Sequence, residues 1–90
     1  MPTILVVDDS EVERQAAALL LKTVPDWNVF AATGGADALD QLDQHEIDLV
    51  LTDLQMPEMD GITLLDAVKE RQLSTPVVIM TSRGSEELAV

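Results

Sequence analysis

The stretch from Ile47 to Gly61, I-D-L-V-L-T-D-L-Q-M-P-E-M-D-G, constrains this chain more than any other. Its apolar run Leu49-Val50-Leu51 is too short for a helix and ends on an acid, Asp53. A short apolar run bounded by polar residues suits a strand buried on both faces of a parallel sheet. The residues beyond it cannot prolong a strand, because Met56-Pro57 enforces an extended or turn geometry and Asp60-Gly61 is a strong turn pair. One carboxylate is thereby placed at the C-terminal end of a strand, with a tight loop after it. Open α/β sheets bind their ligands at that edge. The same pattern also fits an Asp53 that only caps the strand and meets water.

The rest of the chain repeats the scheme. Thr3–Val7 reads as a fully buried strand running into Asp8-Asp9, and Ser10 then opens a helix. Ser10 and Glu13 form a capping-box pattern, with Glu11 and Glu13 near the positive end of the helix dipole. Val12, Ala16, Leu19 and Leu20 recur at helical spacing, and Val24-Pro25-Asp26 ends the helix. Asn28–Ala32 reads as a second strand. Thr33-Gly34-Gly35 opens a helix with Ala38, Leu39 and Leu42 inward; lacking G-x-G-x-x-G spacing, this glycine pair is a turn and not a dinucleotide fingerprint. A third helix runs from about Ile62 to Arg71, capped by Asp60, with Leu64, Leu65 and Val68 inward. Val77–Met80 is a fourth buried strand ending on Thr81-Ser82, and Ser85-Glu86-Glu87 resembles another helix start. His45 reads as solvated, Met56 and Met59 as loop packing, and Trp27 as packing remote from the acids. The alternation β-α-β-α-β-α-β with short connections predicts an α/β domain: a parallel sheet with right-handed crossovers and helices on both faces.

Composition narrows the function. Ninety residues with 47% apolar content make one small globular domain or a piece of one. The absence of cysteine removes disulfides, thiolate metal sites and cysteine nucleophiles. Seventeen acids against five bases give a net charge of −12. With the bases scattered at Arg14, Lys22, Lys69, Arg71 and Arg83, no basic patch exists for direct binding of nucleic acid or anionic lipid. No signal peptide or membrane-spanning run is present, so cytoplasm is the expected location.

If the first, third and fourth strands are neighbours, Asp8, Asp9, Asp53 and the Thr81 hydroxyl converge at one edge. Carboxylates so close raise one another's pKa unless a cation intervenes. An all-oxygen ligand set of this kind suits Mg²⁺.

With the acidic pair after the first strand, Asp53 ending the third, M-P-E-M-D-G, and Thr81 ending the fourth, the chain resembles the receiver domain of two-component response regulators, of the chemotaxis-regulator type. The resemblance implies a flavodoxin-like doubly wound sheet in the order 2-1-3-4. It makes Asp53 the phosphoacceptor, attacking a phosphohistidine on a sensor histidine kinase or phosphotransfer protein. Asp9 would ligate Mg²⁺ directly, Asp8 directly or through water, and Asp53 and the Gln55 backbone carbonyl would complete the protein ligands. Thr81 would donate a hydrogen bond to the phosphoryl group, and its rotation would act as the switch. The family's fifth strand, with its lysine, and its fifth helix are not in these residues, so 1–90 reads as a C-terminally incomplete receiver. Its fourth strand is then an exposed apolar edge that invites self-association. Two other readings stay open: a Mg²⁺-dependent phosphohydrolase, disfavoured because Gln55 stands where a second acid is wanted, and a non-catalytic docking or dimerisation module.

Overall fold

The computed structural model describes residues 2–56, 59–71 and 73–80. Within them the order is β1 (Thr3–Val7), α1 (Glu11–Leu21), β2 (Asn28–Ala32), α2 (Gly35–Gln44), β3 (Leu49–Asp53), α3 (Gly61–Glu70) and β4 (Val77–Met80). The strands form one parallel sheet in the order β2-β1-β3-β4. This is the expected flavodoxin-like α/β topology. Thr81, Ser82 and the Ser85-Glu86-Glu87 helix start lie outside the described residues, as does Pro57.

β1 lies inside the sheet, between β2 and β3, and its apolar run is covered on both faces. Ile4 to Val7 are all buried. Period-two alternation sends Leu5 and Val7 to one face, where they join Ala32, Val50, Ala38 and Leu42 of α2, and Leu64 and Val68 of α3. Ile4 and Val6 point to the other face, where α1 packs on β1 and β2. Helix ends are set locally, and the Asp60 carboxylate accepts from the Thr63 N–H at 2.8 Å.

Three expectations about burial are corrected. The Val12-Ala16-Leu19-Leu20 stripe does not face the sheet, and Val12, Leu19 and Leu20 are 77%, 67% and 70% exposed. The half-buried stripe is Arg14, Ala17, Ala18 and Leu21, at equally good helical spacing. Its two alanines let the helix sit close to the strands. β4 is not a buried strand, since Val78 and Met80 are exposed. β3 is buried on the Val50 and Thr52 face only, with Leu49, Leu51 and Asp53 half-buried. Both follow from α1 lying over β1 and β2, which leaves the β3–β4 half of that face uncovered among the described residues.

Candidate functional site

Parallel register brings the acids together. Val7 pairs with Thr52, so Asp8 follows β1 at the level where β3 ends on Asp53. Alternation puts both carboxylates on the face that carries α1. The chain after Asp53 turns sharply, and Gly61 makes this possible. Its N–H donates to the Leu54 carbonyl at 2.9 Å, and a Cβ there would stand 2.8 Å from the Asp53 carbonyl oxygen. Gly35 answers a second close approach, because a Cβ on it would collide with the Met59 side chain. Met56 is buried, and Met59 packs against the core as the sequence suggested.

Asp8, Glu13 and Asp53 each offer a carboxylate oxygen, and these atoms lie within 4.8 Å of one another. Asp8 is buried, Asp53 half-buried and Glu13 exposed. Burial pushes the Asp53 carboxyl above its ordinary value, and the charges of Asp8 and Asp9 push it further. Backbone N–H groups of Gln55 and Leu54 act in the opposite direction. The Asp8 charge, followed by partial desolvation and then Asp53, also raises Glu13. Oxygen-only donors crowded this closely match the chemistry of Mg²⁺, a hard cation held by carboxylates and waters. The donor set therefore fits the metal inferred from the sequence.

Of the residues picked out from sequence, Asp8 and Asp53 are brought together. Asp9 is exposed and stands outside the 4.8 Å set, beside Gly34, Gly35 and Met59, although its charge is felt at Asp53. Gln55 is exposed at the start of the loop, and Thr81 lies outside the described residues. His45, though exposed, stacks on Phe30 with ring centroids 4.7 Å apart.

Glu13 was missed as a site residue, because a capping box directs its side chain back to the Ser10 N–H. Only one arm of that box forms. Ser10 Oγ accepts from the Glu13 N–H at 3.4 Å, but the Ser10 N–H donates to Asp8 Oδ1 at 2.9 Å. With its partner already engaged, the Glu13 carboxyl turns to the acids. An acid after strand one that can reach the N-cap N–H was the available signal.

The family model for the response regulator receiver domain matches residues 4–90, and the chain belongs to that family. It is 43% identical over 88 residues to the transcriptional regulatory protein CpxR of Escherichia coli, covering 96% of this chain and 36% of that protein. It is 41% identical over 88 residues to a protein-glutamate methylesterase/protein-glutamine glutaminase of Pseudomonas savastanoi, covering 93% of this chain and 24% of the relative. The chain thus spans well under half the length of these relatives. Among solved structures, the response regulator TrrA of Thermotoga maritima, in complex with Mg²⁺-BeF, superposes with a TM-score of 0.85 at 25% identity. That match covers 94% of this chain and 73% of TrrA. Receiver domains are generally switches and not turnover enzymes, with any enzymatic activity residing in fused segments. Among the described residues no helix is long and apolar enough to cross a membrane.

Proposed function

We propose that this chain is a phosphorylation-controlled switch in which Asp53 accepts a phosphoryl group from a histidine kinase or phosphotransfer protein in the cytoplasm. The observation that carries the reading is the meeting of Asp53 and buried Asp8 at the C-terminal edge of β1 and β3, in a chain of the receiver family. An Asp53 carboxylate oxygen attacks the phosphorus of a phosphohistidine. The P–O bond forms as the P–N bond breaks, and the departing imidazole nitrogen keeps the electron pair and takes up a proton. Such transfer is mostly positioning and charge stabilisation. Asp8, Asp9, Asp53 and the Gln55 carbonyl would hold Mg²⁺, which would supply positive charge against phosphoryl oxygens entering an acidic pocket. Gly61 holds the loop against the Asp53 carbonyl and so fixes where Gln55 begins. Thr81 is assigned, on the family resemblance, to hydrogen-bond the phosphoryl group and to shift the surface around β4. Residues 1–90 are assigned to one receiver unit, and β4, an edge strand among the described residues, is the strand assigned to pairing with a second copy.

Incubation with Mg²⁺ and acetyl phosphate, followed by intact mass measurement, tests the reading. One added phosphoryl group is expected, dependent on Mg²⁺ and absent from Asp53→Ala. Equal labelling of Asp53→Ala, or no labelling of folded wild-type protein, would overturn it.

A further inference from the structure

We propose that Glu13, in the first turn of α1, is a further carboxylate of the divalent-cation site and tightens its hold on Mg²⁺. The inference rests on the site proposed above and adds a residue which the family pattern of acidic pair, strand-end acid and M-P-E-M-D-G does not include.

A Glu13 carboxylate oxygen lies within 4.8 Å of those of both Asp8 and Asp53, so the site faces three acids from three elements. The turn that carries Glu13 is tied to the residue it faces. Ser10 holds the Glu13 N–H while donating its own N–H to Asp8 Oδ1, and Arg14 Nη1 donates to the Asp8 backbone carbonyl at 2.8 Å. Glu13 is thus presented to the site by the fold, although its side chain reaches solvent.

The arginine nearest in sequence, Arg14, bonds a backbone oxygen, and the ion pair among the described residues, Arg71 with Asp43, joins α2 to the residue capping α3. No lysine or arginine is paired with the three acids among the described residues. Three negative charges held this near each other favour a divalent cation, and Mg²⁺ accepts a carboxylate either directly or through one of the waters it retains. A relative with this fold was solved in complex with Mg²⁺-BeF, which points independently to the metal. Glu11 supplies an internal contrast. It stands in the same helical turn, but its carboxylate accepts from Gln15 Nε2 at 3.1 Å and is not one of the three.

Calorimetric titration of MgCl₂ into the full chain at neutral pH and fixed ionic strength tests this. The proteins compared are wild type, Glu13→Gln, Glu11→Gln and Asp8→Asn, each confirmed folded by circular dichroism in chelator. Glu13→Gln is expected to weaken Mg²⁺ roughly tenfold, the lower end of what loss of a supporting metal-site partner costs. Glu11→Gln removes the same charge and should change affinity less than about twofold, as a screened surface charge does. If Glu13→Gln binds like wild type, or no more weakly than Glu11→Gln, while Asp8→Asn has lost binding, the proposal falls and the underlying site stands. If Asp8→Asn binds Mg²⁺ as tightly as wild type, the underlying site itself falls.

Discussion

Replacing Asp53 with asparagine is expected to stabilise the metal-free fold. The side chain keeps its size and one acceptor for the backbone N–H groups of Leu54 and Gln55, but it no longer repels Asp8. Two unit charges with oxygens up to 4.8 Å apart interact by about 0.9 kcal/mol at the dielectric of water and by about 3.5 kcal/mol at that of a protein surface. Asp53 is half-buried beside open solvent, so a value near the lower limit applies. A gain of about 1 kcal/mol corresponds to a melting temperature roughly 5 °C higher for a domain this small. Urea unfolding in chelator at pH 7.5, followed by circular dichroism, would measure it. Salt at 1 M shortens the Debye length to about 3 Å and should shrink the difference. Adding Mg²⁺ should reverse the order, because wild type gains about 2.7 kcal/mol at a cation concentration of about 100 times its dissociation constant, and the variant gains less. An Asp53→Asn protein less stable than wild type in chelator, or an order indifferent to Mg²⁺, would refute the reasoning.

Other perturbations have equally definite outcomes. Gly61→Ala must displace the backbone at Asp53 and Leu54, and should cost about 1–3 kcal/mol in urea unfolding together with slower labelling by acetyl phosphate. Asp53 and Glu13 have raised values in the fold. The stability these shifts contribute is complete below their ordinary values of 3.8 and 4.5, and is lost as pH rises through the raised ones. The advantage of Asp53→Asn over wild type should accordingly be largest at neutral pH and shrink on acidification. Asp60 behaves oppositely, since the Thr63 N–H lowers it below 3.8. Its contribution is present above that value and fades as pH falls, so Asp60→Ala should lose its deficit in acid. Asp26 has φ of 73°, and Asp26→Gly should match or exceed wild-type stability by up to about 1 kcal/mol, as thermal melts would show.

The strands were legible because short apolar runs bounded by turn residues leave little choice, although only β1 is buried on both faces. The run Ile4 to Val7 has no polar residue to place in water, and Asp8 and Asp53 each mark where such a run must stop. Their meeting was legible once alternation of strands and helices required a parallel sheet, since parallel strands end on one edge. The facing of α1 was not. Arg14-Ala17-Ala18-Leu21 and Val12-Ala16-Leu19-Leu20 are both regular stripes, and periodicity alone favours the bulkier one. What decides is how closely a helix must approach the strands, a matter of alanine against leucine that depends on the sheet's surface. Glu13 was hidden by competition for one N–H: a local rule assigned it to Ser10, and a side chain from the preceding strand end had taken the place. The roles proposed for Asp9 and the Gln55 carbonyl come from the family pattern, since Asp9 stands outside the cluster of Asp8, Glu13 and Asp53.

The central position of β1 has a consequence for how the chain is made. Thr3 finds its partner at Asn28 and Ile4 finds its second at Leu49, so β1 is made before either of its partners and its pairing finishes late. At about 5–20 residues per second, the wholly apolar segment Ile4–Val7 waits seconds between its own synthesis and that of β3. Both of its edges are unpaired until β2 is made, and one stays unpaired until β3 follows. Variants that weaken β3 pairing should be lost first during synthesis, as insoluble nascent chains, before any change shows in the melting of the molecules that do fold.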